Sequence, residues 1–356
     1  MVLRPSCYLY GMKKISILVL LAFQFLFAGE MLACTRVVYQ GPEGLIITAR
    51  SMDWASEIPA DLWVFPRGME KEGRVGPNSV TWTSRYGSVV ASSFNMSTAD
   101  GMNEKGLVAN LLWLAESEYP PFDGSQTGLT VAAWAQYVLD NFATVAEAVE
   151  ALQKEEFVVV TGPMPGLGRN STVHMSVSDV GGDNAIFEYI DGKLMIHHDH
   201  SYNVMTNSPV FEEQLAINTY WQGINGTVML PGTNRAADRF VRASYYIRAI
   251  PQTEDARLAT ASTFSVIRNC SVPYGISTKN QPNISSTRWR SVADQKNLLY
   301  YFETVMSPAT FWVDLKNFDL SEGNDVKKLA LADGQMYHGD ASTYFKKAEP
   351  FVFLGL

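Results

Sequence analysis

The sequence predicts an α+β protein whose antiparallel sheets pack face to face with helices outside. Three observations carry that expectation. Short runs rich in β-branched and aromatic residues follow Cys34 and recur after residue 171, bounded by turn residues. Apolar residues at helical spacing occupy 129–156 and 211–269, so the helices fall in two groups between and after the strand blocks. No internal repeat, low-complexity tract or linker interrupts 34–356, which is therefore expected to be a single domain.

The elements follow in order. "CTRVVYQ" and "LIITARSMDW" read as strands, and the intervening "GPEG" has the composition of a hairpin turn. "DLWVFP", "SVTWTSRYGSVVASSF" and "GLVANLLWL" read as further strands. The period then changes, and "LTVAAWAQYVLDNFATVAEAVEALQKEE" keeps helical spacing for about seven turns. "TVHMSVSDV", "NAIFEYIDGKLMIHH" and "YNVMTN" form a second strand block. The segments "FEEQLAINTYWQGI", "NRAADRFVRASYYIRA" and "DARLATASTFSVIRN" form a second helical block. "NLLYYFETV" and "TFWVDLKNFDL" close the chain as strands. Segments 115–128 and 160–170, rich in Pro and Gly, read as surface loops.

Residues 1–33 have the layout of a signal peptide: Lys13 and Lys14, the apolar run "ISILVLLAFQFLFA", then "GEMLA" immediately before Cys34. That run is too short to span a bilayer comfortably, so the expected product is a periplasmic or secreted protein without stable membrane insertion. Met12 directly precedes the lysines and is an alternative start. The formal net charge of −8 becomes more negative when the leader, with Arg4, Lys13 and Lys14 against Glu30, is removed. An acidic exported chain is a poor partner for nucleic acid or anionic membranes.

Cys34 and Cys270 are the cysteines that remain after the leader, too few for a disulfide framework. A bridge between them is one reading of the pair, and it must meet strict geometry. A cysteine that becomes the first residue offers other chemistry. Its α-amine, with a reference pKa of about 7.7 to 8.0, can accept the proton of its own thiol, with a reference near 8.5, and later pass it to a leaving nitrogen. Such a site requires no histidine. His197, His198 and His200 form one cluster that lacks the spaced partners of a zinc site, and His174 and His338 are isolated, so neither metal nor cofactor is expected. Arg50 and Asp53 lie in "ARSMDW", where the hairpin would return them alongside Cys34. There an arginine favours thiolate and a carboxylate orients the amine. A competing reading from another class takes "MLAC" as a lipid-attachment site and the chain as a tethered binding protein, although Met31 suits that motif poorly.

The motifs "CTRVVYQ" with "ITARSMDW", "DGMNEKGLVANLLWLAES", "VMTNSPVFEEQL" and "LPGTNRAADRFVRAS" resemble, in order and spacing, the choloylglycine hydrolase family of N-terminal nucleophile (Ntn) hydrolases. The likeness spans essentially the whole of 34–356. It implies the four-layer αββα sandwich of that superfamily and cleavage of linear amides, with a small-molecule N-acyl amide as the partner and often a homotetramer as the assembly.

Position by position, the resemblance makes Cys34 the nucleophile, Arg50 the thiol-side arginine and Asp53 the amine-side aspartate. Asn207 matches the side-chain donor of the oxyanion hole, and Arg239 the active-site arginine, with Arg242 the competing residue of the same motif. The second oxyanion donor, a backbone N–H, falls on Trp113. Bile salt hydrolases carry asparagine there and Gram-positive penicillin V acylases tyrosine. Tryptophan resembles the Gram-negative branch, whose members are penicillin V acylases that can act on N-acyl homoserine lactones. A tryptophan face suits an aromatic or aliphatic acyl chain, so bile salts are the alternative substrate.

Overall fold

The computed structural model describes residues 34–165, 168–276, 285–331 and 334–356; the leader expected at 1–33 lies outside the described residues. Thr35–Gln40 and Ile46–Trp54 form the expected hairpin, closed by a 3-10 turn at Pro42–Gly44. Thr35 pairs with Ser51 and Arg36 with Arg50. Extending that register by one residue puts Cys34 opposite Met52, and the two sulfurs lie 4.0 Å apart.

The hairpin sits within a seven-stranded sheet, between Val204–Met205 on one side and Ser286–Asp294 on the other, which continues through Leu299–Thr304, Phe311–Asp314 and Gly339–Asp340. A nine-stranded sheet faces it, with Val173–Ser178, Val108–Trp113, Ser97–Asn103 and Ser88–Ser93 at its centre. Alternation along a strand sends successive side chains to opposite faces. On Ile46–Trp54, Thr48 and Arg50 point between the sheets, to Ser178 Oγ at 2.7 Å and to the Leu111 carbonyl at 2.9 Å. Asp53 points the other way, toward Arg239 on helix Ala236–Ala249.

Helices Ala236–Ala249 and Ala256–Asn269 cover the outer face of the seven-stranded sheet, and Val131–Asn141 covers that of the nine-stranded sheet. The result is the αββα sandwich that the family resemblance implied. Gly101 permits the close approach of the latter helix. A β-carbon there would lie 2.8 Å from the Val89 carbonyl oxygen and 2.9 Å from Leu139 Cδ1. Among the described residues no helix is long and apolar enough to cross a membrane.

Several segments differ from their sequence reading, among them Ser97–Asn103, a central strand outside every run read as one. The seven-turn periodic run is two helices, Val131–Asn141 and Val145–Leu152. Thr144 caps the second by accepting the Glu147 N–H at 3.2 Å, while Glu147 Oε2 accepts the Ala143 N–H at 2.7 Å. This T-x-x-E box starts a new helix inside an unbroken apolar period. "SVTWTSRYGSVVASSF" divides into Thr81–Thr83 and Ser88–Ser93 in different sheets. Ser286–Asp294, which apolar alternation does not reveal, is a central strand. Its arginines are satisfied laterally: Arg288 donates to the carbonyls of Trp54 and Ala55, and Arg290 to Glu303. Part of 160–170 is not simply surface loop, because Gly162, Met164 and Pro165 line a cavity that Cys34 also lines.

Candidate active site

Cys34 stands where the end of its strand, the end of Val204–Met205 and the end of Val108–Trp113 in the nine-stranded sheet, unpaired on its Ser97–Asn103 side, meet. Its thiol shares the inter-sheet face with Arg50, whose Nη2 lies 4.0 Å from Sγ. Arg50 is held from several sides. Its Nη2 donates to the Leu111 carbonyl, its Nη1 lies 3.8 Å from Asp100 Oδ2, and its guanidinium carbon sits 4.5 Å over the Trp289 ring. Asp100 in turn accepts from Asn110 Nδ2 at 2.6 Å and from the Tyr300 hydroxyl.

The ladder between Ser97–Asn103 and Val108–Trp113 ends at the Asp100–Asn110 pair. Beyond it the strand edges no longer pair, and Arg50 takes the Leu111 carbonyl in the gap. Leu114 N–H bonds the Thr172 carbonyl on the opposite edge. Since alternate residues of a strand address alternate edges, the N–H and C=O of Trp113 open on the Cys34 side. The carbonyl there accepts from Asn207 Nδ2 at 2.6 Å.

Asn207 is the hub. Its Oδ1 accepts from the Cys34 nitrogen and from Arg239 Nη2 at 3.0 Å, which fixes the amide orientation with Nδ2 toward Trp113. An amide nitrogen carries two hydrogens, and the second remains for a ligand beside Cys34. Gln214 Nε2 donates to the carbonyls of Asn207 and Pro209. His174, fully buried, faces two acceptors, Glu188 Oε1 and the Thr206 carbonyl, each at 2.8 Å. The residue preceding Asn207 is thereby tied to the buried His174–Glu188 pair.

Arg239 donates to the Cys34 carbonyl at 2.5 Å and to Thr35 Oγ1, and lies 3.9 Å from Asp53 Oδ2. Arg242 instead donates to the carbonyls of Pro231 and Thr233, so of the two arginines in that motif Arg239 is the one at the site. Asp53 accepts from the Thr287 hydroxyl at 2.5 Å and from Ser51 at 3.3 Å. Its carboxylate therefore lies on the helix side of the sheet, and Asn207 rather than Asp53 takes the Cys34 nitrogen.

Burial dominates the electrostatics. It pushes the Cys34 thiol above its ordinary value, and the neighbouring Arg50, which pulls the other way as the sequence suggests, is outweighed. Burial likewise raises Asp53 to about 6 against the opposing charge of Arg239. For Glu188 the balance reverses. Burial pushes it up, but hydrogen bonds from His174 and His197 hold it at about 2. Cys270 is buried and unbridged, its Sγ 3.9 Å from the Arg239 carbonyl, so the Cys34–Cys270 bridge does not form. The histidine cluster is engaged with carboxylates, His197 with Glu188 and His198 with Asp183. Among the described residues no group of three or more His, Cys, Asp or Glu could hold a metal ion.

An apolar cavity of about 830 Å³, measured with its open mouth, begins at Cys34. Trp113 forms one wall and Trp54 another, their rings 5.4 Å apart and nearly edge to face, with the Arg169 guanidinium 4.8 Å over the Trp113 ring.

All six residues expected from sequence at the site, Cys34, Arg50, Asp53, Trp113, Asn207 and Arg239, gather here. Sequence reasoning missed Asp100, Thr287, His174, Glu188 and Trp54. Asp100 opens the "DGMNEKGL" motif and Trp54 closes "ARSMDW", so both lay inside recognised segments; Thr287, His174 and Glu188 carried no signal.

The family model for linear amide C–N hydrolases, choloylglycine hydrolase family, matches residues 34–331. The chain belongs to that family. As a choloylglycine hydrolase family member it is 54% identical over 351 residues to a penicillin V acylase of Pectobacterium atrosepticum, covering 91% of this chain and 93% of that one. A solved penicillin V acylase from Agrobacterium tumefaciens shares 60% identity with a TM-score of 0.86, over 91% of this chain and 100% of the other. A bile salt hydrolase/transferase of Clostridium perfringens is more distant, 25% identical over 83% of this chain and 95% of its own length. The family and the site together make the protein a hydrolase of linear amides.

Proposed function

We propose that this choloylglycine hydrolase family member is an exported acylase of the penicillin V type, with Cys34 as an N-terminal nucleophile and small N-acyl amides bearing aromatic or long aliphatic acyl groups as substrates. One observation carries the reading: Cys34 directs its sulfur toward an apolar cavity and its nitrogen onto the Asn207 side chain. A nitrogen in that position, once freed by removal of the leader, is an amine held next to the thiol it must deprotonate. Because burial keeps the thiol protonated at rest, the amine takes its proton as sulfur attacks the acyl carbon. The oxyanion forms between Asn207 Nδ2–H and the Trp113 N–H. The ammonium protonates the leaving nitrogen, the C–N bond breaks, and water activated by the same amine then hydrolyses the thioester.

Arg50 supplies positive charge at the sulfur, Arg239 fixes the Cys34 carbonyl and Asn207 together, and Asp53 balances Arg239 on the helix side of the sheet. The lipid-attachment reading is disfavoured by a Cys34 that is 2% exposed and packed on Met52 and Arg50. Periplasmic residence follows from the expected leader, and assembly as a homotetramer rests on the resemblance; the mass of the mature N-terminus and light scattering test these.

The acylase reading is tested with a phenoxyacetyl amide such as penicillin V, a long-chain N-acyl homoserine lactone and a glycine-conjugated bile acid. The first two should be hydrolysed with kcat/KM at least roughly tenfold above the third, the scale of a changed apolar pocket contact. A preference for the bile amide would reverse the substrate assignment.

A further inference from the structure

The C-terminal tail reaches the same cavity by a route that the family match does not include. The matched region ends at residue 331, yet Leu354 and Gly355 line the cavity that begins at Cys34. Two aromatic anchors bring them there. The Phe351 ring lies 5.3 Å from Trp63 and 5.6 Å from Phe65, and the Phe353 ring 5.4 Å from Phe351 and 6.4 Å from Trp82. Val352 between them is 60% exposed. Beyond the anchors the backbone is tied down: Leu354 N–H donates to the Met96 carbonyl at 2.8 Å, Thr130 Oγ1 donates to the Leu354 carbonyl at 2.7 Å, and Leu356 N–H donates to the Arg74 carbonyl at 3.1 Å.

The tail backbone runs close against its neighbours. A β-carbon on Gly355 would stand 2.7 Å from the Arg74 carbonyl oxygen, and one on Gly162 would stand 2.8 Å from Leu356 Cδ2. Of the residues that grip the tail, Met96, Thr130 and Gly162 are themselves cavity residues. The tail is therefore a fixed part of the wall.

We propose that Leu354 is a specificity-determining residue, the tail acting as a strap that sets how much acyl chain the cavity accepts. The proposal rests on the acylase reading for its substrates, while the space it describes is independent of catalysis. The experiment compares the unaltered enzyme with Leu354→Ala, Leu354→Trp and, as a control on the same strap, Val352→Ala. Each is assayed on a series of straight-chain amides from butanoyl to tetradecanoyl, and the affinity of the matching free acids is measured by titration calorimetry. Leu354→Ala should move the optimum toward longer chains and Leu354→Trp toward shorter ones. Each should change the long-to-short ratio of kcat/KM by roughly tenfold, the scale of adding or removing carbons at an apolar wall. Val352→Ala should leave the ranking alone. An unchanged ranking in Leu354→Ala, with an unchanged melting temperature, overturns the proposal, and that variant decides the matter if Leu354→Trp fails to fold. If the unaltered enzyme hydrolyses neither a phenoxyacetyl amide nor any amide in the series, the acylase reading fails, and the acid affinities alone judge the strap by the same shift or its absence.

Discussion

Around Cys34 each polar side chain is fixed by two or more partners, Asn207 by the Cys34 nitrogen, Arg239 and the Trp113 carbonyl, and Arg50 by Leu111, Asp100 and Trp289. The cavity beside it is walled by Trp54, Trp113, Met164 and Leu354, which meet a ligand through dispersion and area alone. Directional bonds tolerate little displacement, whereas an apolar wall can exchange one shape for another at modest cost. The two regions should therefore respond differently to substitution: the cluster in rate, the wall in choice of substrate.

Cys34→Ala is the most severe way to break the cluster. It should abolish turnover while leaving the fold, because alanine fits where a small buried side chain stood; measurable hydrolysis by the purified, processed variant would falsify the mechanism. A form retaining one residue before Cys34 should be equally inactive, since its nitrogen is then a peptide. Next comes Asn207→Ala, which removes the proposed oxyanion donor and should lower kcat by roughly 10² to 10³ with KM nearly unchanged. A change confined to KM would reassign Asn207 to substrate positioning.

The contrast sharpens at Trp113, whose backbone serves the cluster and whose ring serves the wall. Trp113→Ala should retain activity but alter the ratio of kcat/KM between phenoxyacetyl and long aliphatic amides by roughly 10 to 200 fold. Equal scaling of all substrates with a depressed melting temperature would make the ring a packing element only.

Acidity gives a smaller and graded effect. Asp53 is raised from an ordinary carboxylate value to about 6, so the folded protein binds this proton more tightly than the unfolded chain. Ionising it thus opposes folding as pH rises through the window from about 4 to 6. The charge that balances Arg239 is present only above that window, and kcat should fall as pH drops through about 6. Asp53→Asn should remove this limb of the pH profile; its persistence would assign the limb to another group. Glu188 has the opposite sign. Held at about 2, it stabilises the fold above the ordinary glutamate range and loses that contribution as pH falls toward 2. Glu188→Gln should flatten the acid arm of a melting-temperature profile and lower kcat a few fold by loosening His174 from Thr206. An unchanged profile would uncouple Glu188 from stability.

What the sequence disclosed follows the same division. Cys34, Arg50, Asp53, Asn207 and Arg239 were legible because their residue types and motifs stand in fixed order, and the hairpin because two strand-like runs flank a Pro/Gly turn. The helix break at Thr144 was hidden by apolar residues that keep one period across it, although the T-x-x-E box was present. Ser286–Asp294 was hidden because its arginines find lateral partners in the fold that no local pattern announces. The cavity wall was least legible: Gly162, Met164 and Leu354 come from separate segments, and their proximity is a product of the layers.

Arg50 extends from one sheet and holds the Leu111 carbonyl on the edge of the other. On the proposed mechanism the separation of the two layers is thereby also a coordinate of catalysis, with the guanidinium as a strain gauge across it. Warming that lets the layers breathe should weaken this grip before the cores on either side give way. In a temperature ramp, turnover should then decline several degrees below the loss of circular dichroism, and coincident curves would mean that the sandwich and its active site fail as one unit.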